Sequence, residues 1–500
     1  MPPMGDKDLG ARTLSALKWG YGGAAARALA QLVVQMLLAR LLGPEAFGQA
    51  MAAFLVLGIG WILSEGGFGS ALIQKTELSD DDVGYALGWV MLLSGTLGAL
   101  VMLAAPWLAD WLGGPVLMPL LLASGALIPL QAVSNIPVSL MRRNFDVRRA
   151  QFIYIGSYVL VYGAIGLPLA WAGAGAWSLV IAAGLHTLCN LVGSYWVVRH
   201  TLRPRLQGAP GLADFGLQVT GANVMGWIAE NTDRLLVNRY WGTAALGEYT
   251  AALSLSRAPA GLLVSAAQSV TLASASRLQD DSARLGRSYL ALLGLITLIT
   301  GPVFTLMAVH AQALVHLLYG PRWAHTGLLF AAFCASLPFY SVLSVSGPVL
   351  WAINAVRQDL YTQVFSFVAV AAGFYALSSY PLELAVWLVP LIYLLRTAWV
   401  YRALASHLQL QHRRSLRAVF GGLALSALAA GISWLLGLAL TPLVAMLLSS
   451  VATVVLGAAA LRLWPHALLA PEFVSLLQNR AAESSGLQTL CRLLGLKPAV

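Results

Sequence analysis

The chain is short of charge. Of its 500 residues only 10% are Asp, Glu, Lys or Arg, whereas 59% are hydrophobic, against roughly 25% and roughly 45–50% in an ordinary soluble domain. That scarcity excludes a soluble globular protein, because a water-exposed surface of this size needs charge to cover it. Cysteine is scarce too. Cys189, Cys334 and Cys491 are widely separated and lack CxxC spacing, so neither a disulfide framework nor a zinc cluster is indicated. The patterns GxxxxGK[ST], HExxH and GxSxG are absent, which argues against ATP hydrolysis at a phosphate loop and against the common hydrolase sites. The eight histidines are scattered. No enzyme activity, cofactor or metal is expected.

What is present is long apolar sequence. Mean hydropathy is +0.75, and a spanning helix needs about 20 apolar residues. About fourteen such stretches follow one another along the chain, among them 13–39 and 47–63 as the first two, 215–238 and 244–267 as the seventh and eighth, and 361–380 as the eleventh. They are too long and too uniformly apolar for barrel strands. The expected fold is an all-α polytopic membrane protein, with a six-helix lobe in 1–209, a second in 210–409, two extra helices in 410–465 and an interfacial tail in 466–500. The polar start, Met1 to Gly10, leads into a long helix without a cleavage site, so no removable signal peptide is expected.

Charge orients the chain. The net charge of +10 would suggest nucleic acid in a soluble protein, but in a membrane protein basic residues gather in cytoplasmic loops. With the N-terminus inside, the clusters Arg142, Arg143, Arg148, Arg149; Arg199, Arg203, Arg205; Arg277, Arg284, Arg287; and Arg402, Arg413, Arg414, Arg417 all fall on that side. Near the other side stand Arg40, Arg239 and Arg322. Both termini are therefore expected in the cytoplasm.

Two segments 199 residues apart align without gaps: Arg40, Gly43, Phe47-Gly48 and Met51 stand opposite Arg239, Gly242, Leu246-Gly247 and Thr250. The pattern Arg-x-x-Gly-x4-Gly joins spans one and two, and again seven and eight. Repeats of this kind mark transporters, whose sites lie between related halves.

A charge at the bilayer centre costs about 2.5–3.5 kcal/mol on insertion scales, so its presence points to a cavity or a pair. In the first span Gly20, Gly23, Arg27, Gln31 and Gln35 fall at three- and four-residue spacings and form one stripe. It faces either a cavity or, through its glycines, a neighbouring helix. In the seventh span Asn223, Glu230, Asp233 and Arg234 share a broad face, with Glu230 and Arg234 spaced as an i, i+4 pair that is either functional or self-neutralising. In the eighth, Arg257 lies two residues before Pro259 and has no acid four residues away. Arg396 either snorkels or serves function. His186, four residues before Asn190, reads as a structural histidine or a proton site.

The segments Ala39 to Gly48 (ARLLGPEAFG) and Glu65 to Gln74 (EGGFGSALIQ), with Asn231 to Val237 (NTDRLLV), Leu246 to Tyr249 (LGEY) and Pro259, resemble the polysaccharide transporter family. These are the Wzx-type flippases for lipid-linked oligosaccharide, within the multidrug/oligosaccharidyl-lipid/polysaccharide superfamily. Glu65 stands where that family more often has Asp, and Arg234 where an apolar residue is usual. The resemblance implies that polyprenyl-diphosphate-linked repeat units cross the bacterial inner membrane by alternating access, for exopolysaccharide or O-antigen export. Arg27 and Arg257 would then clamp the diphosphate, since guanidinium stays charged and binds phosphate in a bidentate manner. Gln31, Gln35, Asn223, Glu230, Asp233 and Arg234 complete the expected substrate site, and spans thirteen and fourteen guide the lipid tail. A cation-coupled drug exporter and a lipid II flippase are the alternatives. A monomer is expected, with membrane lipid, a polysaccharide polymerase and assembly proteins as partners, and no nucleic acid.

Overall fold

The computed structural model describes residues 6–207, 212–480 and 485–496. Among these there is no strand. Helix α1 runs over Asp6–Ser64, followed by α2 (Ser70–Gln74), α3 (Asp80–Leu112), α4 (Met118–Arg143), α5 (Val147–Val161), α6 (Leu167–Trp171), α7 (Trp177–Val197) and α8 (Leu212–Leu278). Then come α9 (Ser282–Val309), α10 (Ala311–Tyr319), α11 (Ala324–Ala352), α12 (Val356–Ala376), α13 (Leu382–Ala385), α14 (Leu388–His407), α15 (His412–Gly437) and α16 (Pro442–Leu463). Three short helices, α17 (Pro465–Leu468), α18 (Pro471–Arg480) and α19 (Ser485–Leu493), follow in the tail. Eleven helical segments among the described residues are long and apolar enough to cross a membrane. Two of these, Gly22–Gly60 and Asn223–Leu278, each cover two of the expected spans. Helix α12 lies where the eleventh was expected but, with Arg357 and Asp359 near its start, is not among the eleven.

The merged spans are broken at the repeated motif. Gly43 in α1 has φ 77° and ψ 173°, and Gly242 in α8 has φ 88° and ψ 178°. Only glycine takes such angles without strain. Pro44 follows Gly43 and opens the next helix, where its missing N–H costs nothing. The two copies of the motif also touch. A Cβ at Gly48 would overlap the Thr243 carbonyl oxygen, and one at Gly247 would overlap that of Pro44. Since 44 and 243, and 48 and 247, are equivalent positions of the repeat, the contact is reciprocal, as a two-fold relation requires. Nearby, Asn238 Nδ2 donates to the Leu112 carbonyl.

The chain divides into two compact units, Met1–Ala251 and Ala252–Val500, with the boundary inside α8. In the first unit, Phe68, Leu72, Ala86, Ala132 and Ile136 form one packed cluster. Arg143, at the end of α4, donates to the Leu72, Ile73, Lys75 and Thr76 carbonyls and so satisfies the open end of α2. In the second, Tyr289, Leu293, Val349 and Leu404 tie α9, α11 and α14 together. Large apolar side chains such as Leu103, Trp196, Leu447 and Val454 are exposed, which water would penalise and lipid does not. Many buried hydroxyls bond back to their own helices, for example Thr300 to the Ile296 carbonyl at 2.7 Å. The tail packs through Leu469, Val474, Leu477 and Cys491.

Candidate functional site

Arg27, Gln31 and Gln35 succeed one another by one turn of α1, so they project from a single face. That face lines a cavity of about 570 Å³ in the first unit, bounded also by α4, α5 and α7. Gly23 lets α1 approach α5, since a Cβ there would stand 2.6 Å from Gln151 Cγ. The surroundings of Gly20, and those of Glu65, lie outside the described residues. Arg27 places its guanidinium over the Tyr154 ring, 5.0 Å from the centroid, within reach of a cation–π attraction. Gln31 Nε2 donates to the Tyr154 hydroxyl at 3.1 Å.

Tyr154 begins a ladder. Tyr158 and Tyr162 follow at four-residue intervals, with ring centroids 6.4 Å and then 4.4 Å apart, and all three line the cavity. At Tyr162 the helix passes into a π turn, Tyr162–Gly166, a local widening often found at functional sites. His186 from α7 meets Tyr154 and Tyr158 edge-on, at 4.8 and 5.4 Å.

Several polar atoms on this cavity are unmet. Gln131 Oε1, Asn135 Nδ2, Gln151 Oε1 and His186 Nε2 are buried without a hydrogen-bond partner among the described residues. Each such atom costs about 1–3 kcal/mol unless something fills its need. The charged residues on the lining are Arg27 and Arg142, and no carboxylate lines it among the described residues. The arrangement suits a guest rich in hydroxyls that carries an anion.

The other expected site residues lie elsewhere. Asn223 and Glu230 are exposed on α8 and do not line the cavity. Asp233 accepts from the Tyr249 hydroxyl at 2.7 Å and from the Arg234 backbone N–H at 2.8 Å. Arg234 donates through Nη1 to Asn231 Oδ1 at 2.9 Å, and no ion pair joins it to Glu230 among the described residues. Arg257 is exposed on the part of α8 that belongs to the second unit. In that unit Arg396 Nη2 pairs with Asp359 Oδ1 at 3.5 Å, and Trp351 Nε1 donates to Asp359 Oδ2 at 3.0 Å. Sequence reading missed Tyr154, Tyr158, Tyr162, Gln131 and Asn135, and it assigned Arg142 only to the cytoplasmic basic cluster. The four-residue spacing within the tyrosines, and between Gln131 and Asn135, was the available signal.

The model of a family described as polysaccharide biosynthesis protein matches residues 37–327. The succinoglycan biosynthesis transport protein ExoT of Rhizobium meliloti (strain 1021) is 26% identical over 380 residues, which span 74% of this chain and 76% of that protein. The lipopolysaccharide biosynthesis protein WzxC of Escherichia coli (strain K12) is 25% identical over 326 residues, 62% of this chain and 64% of that one. Among solved structures, the lipid II flippase MurJ in an inward closed conformation has a TM-score of 0.71 at 13% identity, covering 88% of this chain and 98% of its own. An inward-facing multidrug transporter of the MATE family has a TM-score of 0.57 at 16% identity, covering 77% and 96%. At these identities the structural likeness is one of fold. Many apolar helices, that fold and a family match over more than half the chain converge: the chain is a multi-pass membrane protein that belongs to the polysaccharide biosynthesis protein family.

Proposed function

We propose that this protein translocates polyprenyl-diphosphate-linked oligosaccharide repeat units across the bacterial inner membrane by alternating access, for export of an exopolysaccharide or O-antigen. The observation that carries the reading is the cavity, where a cation and unmet amide and imidazole atoms from α1, α4, α5 and α7 line the same space as a ladder of tyrosines. A diphosphate needs a guanidinium that stays charged, and Arg27 supplies one. Sugar rings need donors and acceptors for their hydroxyls and flat apolar faces for their C–H surfaces. Gln131, Asn135 and Gln151 supply the first, and Tyr154, Tyr158 and Tyr162 the second. The volume of about 570 Å³ falls within the range of about 300–1,000 Å³ common for ligand sites. The names of ExoT and WzxC, which place those relatives in succinoglycan transport and lipopolysaccharide biosynthesis, agree with a glycan cargo.

Arg142 and Val147, at the turn between α4 and α5, line the cavity within the basic cluster assigned to the cytoplasm by charge, and Tyr162 lies two turns further along the chain from Tyr154. In this reading the diphosphate stays near Arg27 and Arg142 while the glycan extends along the ladder. Arg257 is the second candidate cation. The protein acts as a monomer with both termini inside, alongside a polymerase and assembly proteins. An exported organic cation would call for an acid on the wall, and the lining among the described residues has none. Proteoliposomes holding the purified chain should move a fluorescent polyprenyl-diphosphate oligosaccharide from one leaflet to the other. Transport of drug cations with no movement of the glycolipid would sink the proposal.

A further inference from the structure

The second unit holds a cavity of about 680 Å³ made by α8, α9 and α18. Its walls are apolar, with Val270 and Leu278 from α8, Leu292 and Leu295 from α9, and Leu476 from α18. Val270 and Leu476 are exposed, so in a bilayer this groove is open to acyl chains. Arg284 and Arg287 line it near the start of α9. Arg284 lies 3.9 Å from Asp281, which caps α9, whereas Arg287 has no ion-pair partner among the described residues. Glu472, in the first turn of α18, lines the same groove and is only 9% exposed. Its Oε2 has no hydrogen-bond partner among the described residues, and neither arginine pairs with it.

A buried carboxylate oxygen without a donor is costly, and an arginine that lines the same groove does not relieve it. The groove therefore presents an apolar channel, a cationic edge and an unmet acceptor together. An anion alone fits the arginines and is repelled by the glutamate. A cation alone fits the glutamate and is repelled by the arginines. We infer that the groove binds a bilayer phospholipid with a zwitterionic, N–H-bearing headgroup, of the phosphatidylethanolamine class: phosphate on Arg284 and Arg287, ammonium on Glu472, acyl chains along Val270, Leu292 and Leu295. The basic cluster around Arg284, at the start of α9, belongs to the side assigned to the cytoplasm by charge, where a headgroup at the membrane surface meets it. The bound lipid fastens α18 to α8 and α9. None of the residues of the tyrosine-lined cavity takes part, so the inference stands apart from the proposed cargo.

The test is native mass spectrometry of the purified full-length chain in detergent, titrated with phosphatidylethanolamine, phosphatidylcholine and phosphatidylglycerol of the same acyl chains. Phosphatidylcholine keeps the charges but lacks N–H donors, and phosphatidylglycerol lacks the cation. The wild type should hold phosphatidylethanolamine about tenfold more tightly than either, as a hydrogen bond to a charged group implies. Glu472→Gln should erase that preference, and Arg287→Ala should weaken all three lipids. Equal affinity of the wild type for the three headgroups overturns the inference without any need for a variant. A preference that survives in Glu472→Gln overturns it as well.

Discussion

Two charged sites, one in each unit, meet their polar groups in different ways. In the second, Asp359 is met by Arg396 at 3.5 Å and by Trp351 at 3.0 Å, so the charges on α12 and α14 answer one another. In the first, Arg27 rests on an aromatic face and its neighbours Gln131, Asn135, Gln151 and His186 keep atoms without partners. A paired charge costs less to insert, and here the only buried atom of the pair left without a hydrogen-bond partner among the described residues is Arg396 Nε. An open network costs stability and keeps that cost available to a guest. The difference separates a structural pair from a binding wall, although both read as isolated charges in apolar sequence.

The comparison breaks most visibly at the pair. Asp359→Ala leaves Arg396 uncompensated and should cost about 3–5 kcal/mol, read as a fall in melting temperature in detergent. The double variant Asp359→Ala/Arg396→Ala should recover most of it. A loss in the double variant equal to the sum of the two single losses would mean that the two residues do not depend on each other. Arg27→Ala should do the reverse: stability within about 0.5 kcal/mol of wild type, with glycolipid movement in proteoliposomes reduced at least about tenfold, which is about 1.4 kcal/mol. Arg27→Lys should return only part of the activity, because ammonium lacks the planar fork. A silent Arg27→Ala would remove Arg27 from the site.

Smaller changes sharpen the same contrast. Asn135→Leu removes an unmet donor, so melting temperature should rise, by the equivalent of about 1 kcal/mol, while transport falls. A loss of both would show that Asn135 has a structural partner. Tyr154→Phe keeps the ring under Arg27 but deletes the hydroxyl that accepts from Gln31. The expected cost is about 1 kcal/mol in substrate affinity, a few-fold rise in the substrate concentration for half-maximal transport, with little change at saturation.

Much of this was legible beforehand. The apolar stretches were read as helices, and the described residues hold eleven helical segments long and apolar enough to cross a membrane; the Arg27, Gln31, Gln35 stripe was read from spacing alone, since side chains one turn apart share a face whatever surrounds them. The glycine motif was also visible as a repeat, and Gly43 and Gly242 mark the breaks in α1 and α8. The Glu230–Arg234 pairing was not reliable for a definite reason. Spacing makes an i, i+4 pair possible, but Asn231, three residues before Arg234 and buried, also lies within reach, and the guanidinium turns to it.

The sequence by itself determined that this chain is helical and membrane-spanning and that it carries one glycine motif twice, because backbone hydrogen bonding in lipid permits little else for such apolar runs and because helical period follows from local geometry. Which faces meet was decided by tertiary structure. Gln31 and Tyr154 are 123 residues apart, and Gly48 finds Thr243 across a still longer interval. Nothing in the period of either helix names its partner. That choice is made by close packing of whole surfaces, where a missing Cβ or one unmet amide decides whether two helices seal together or leave a cavity between them.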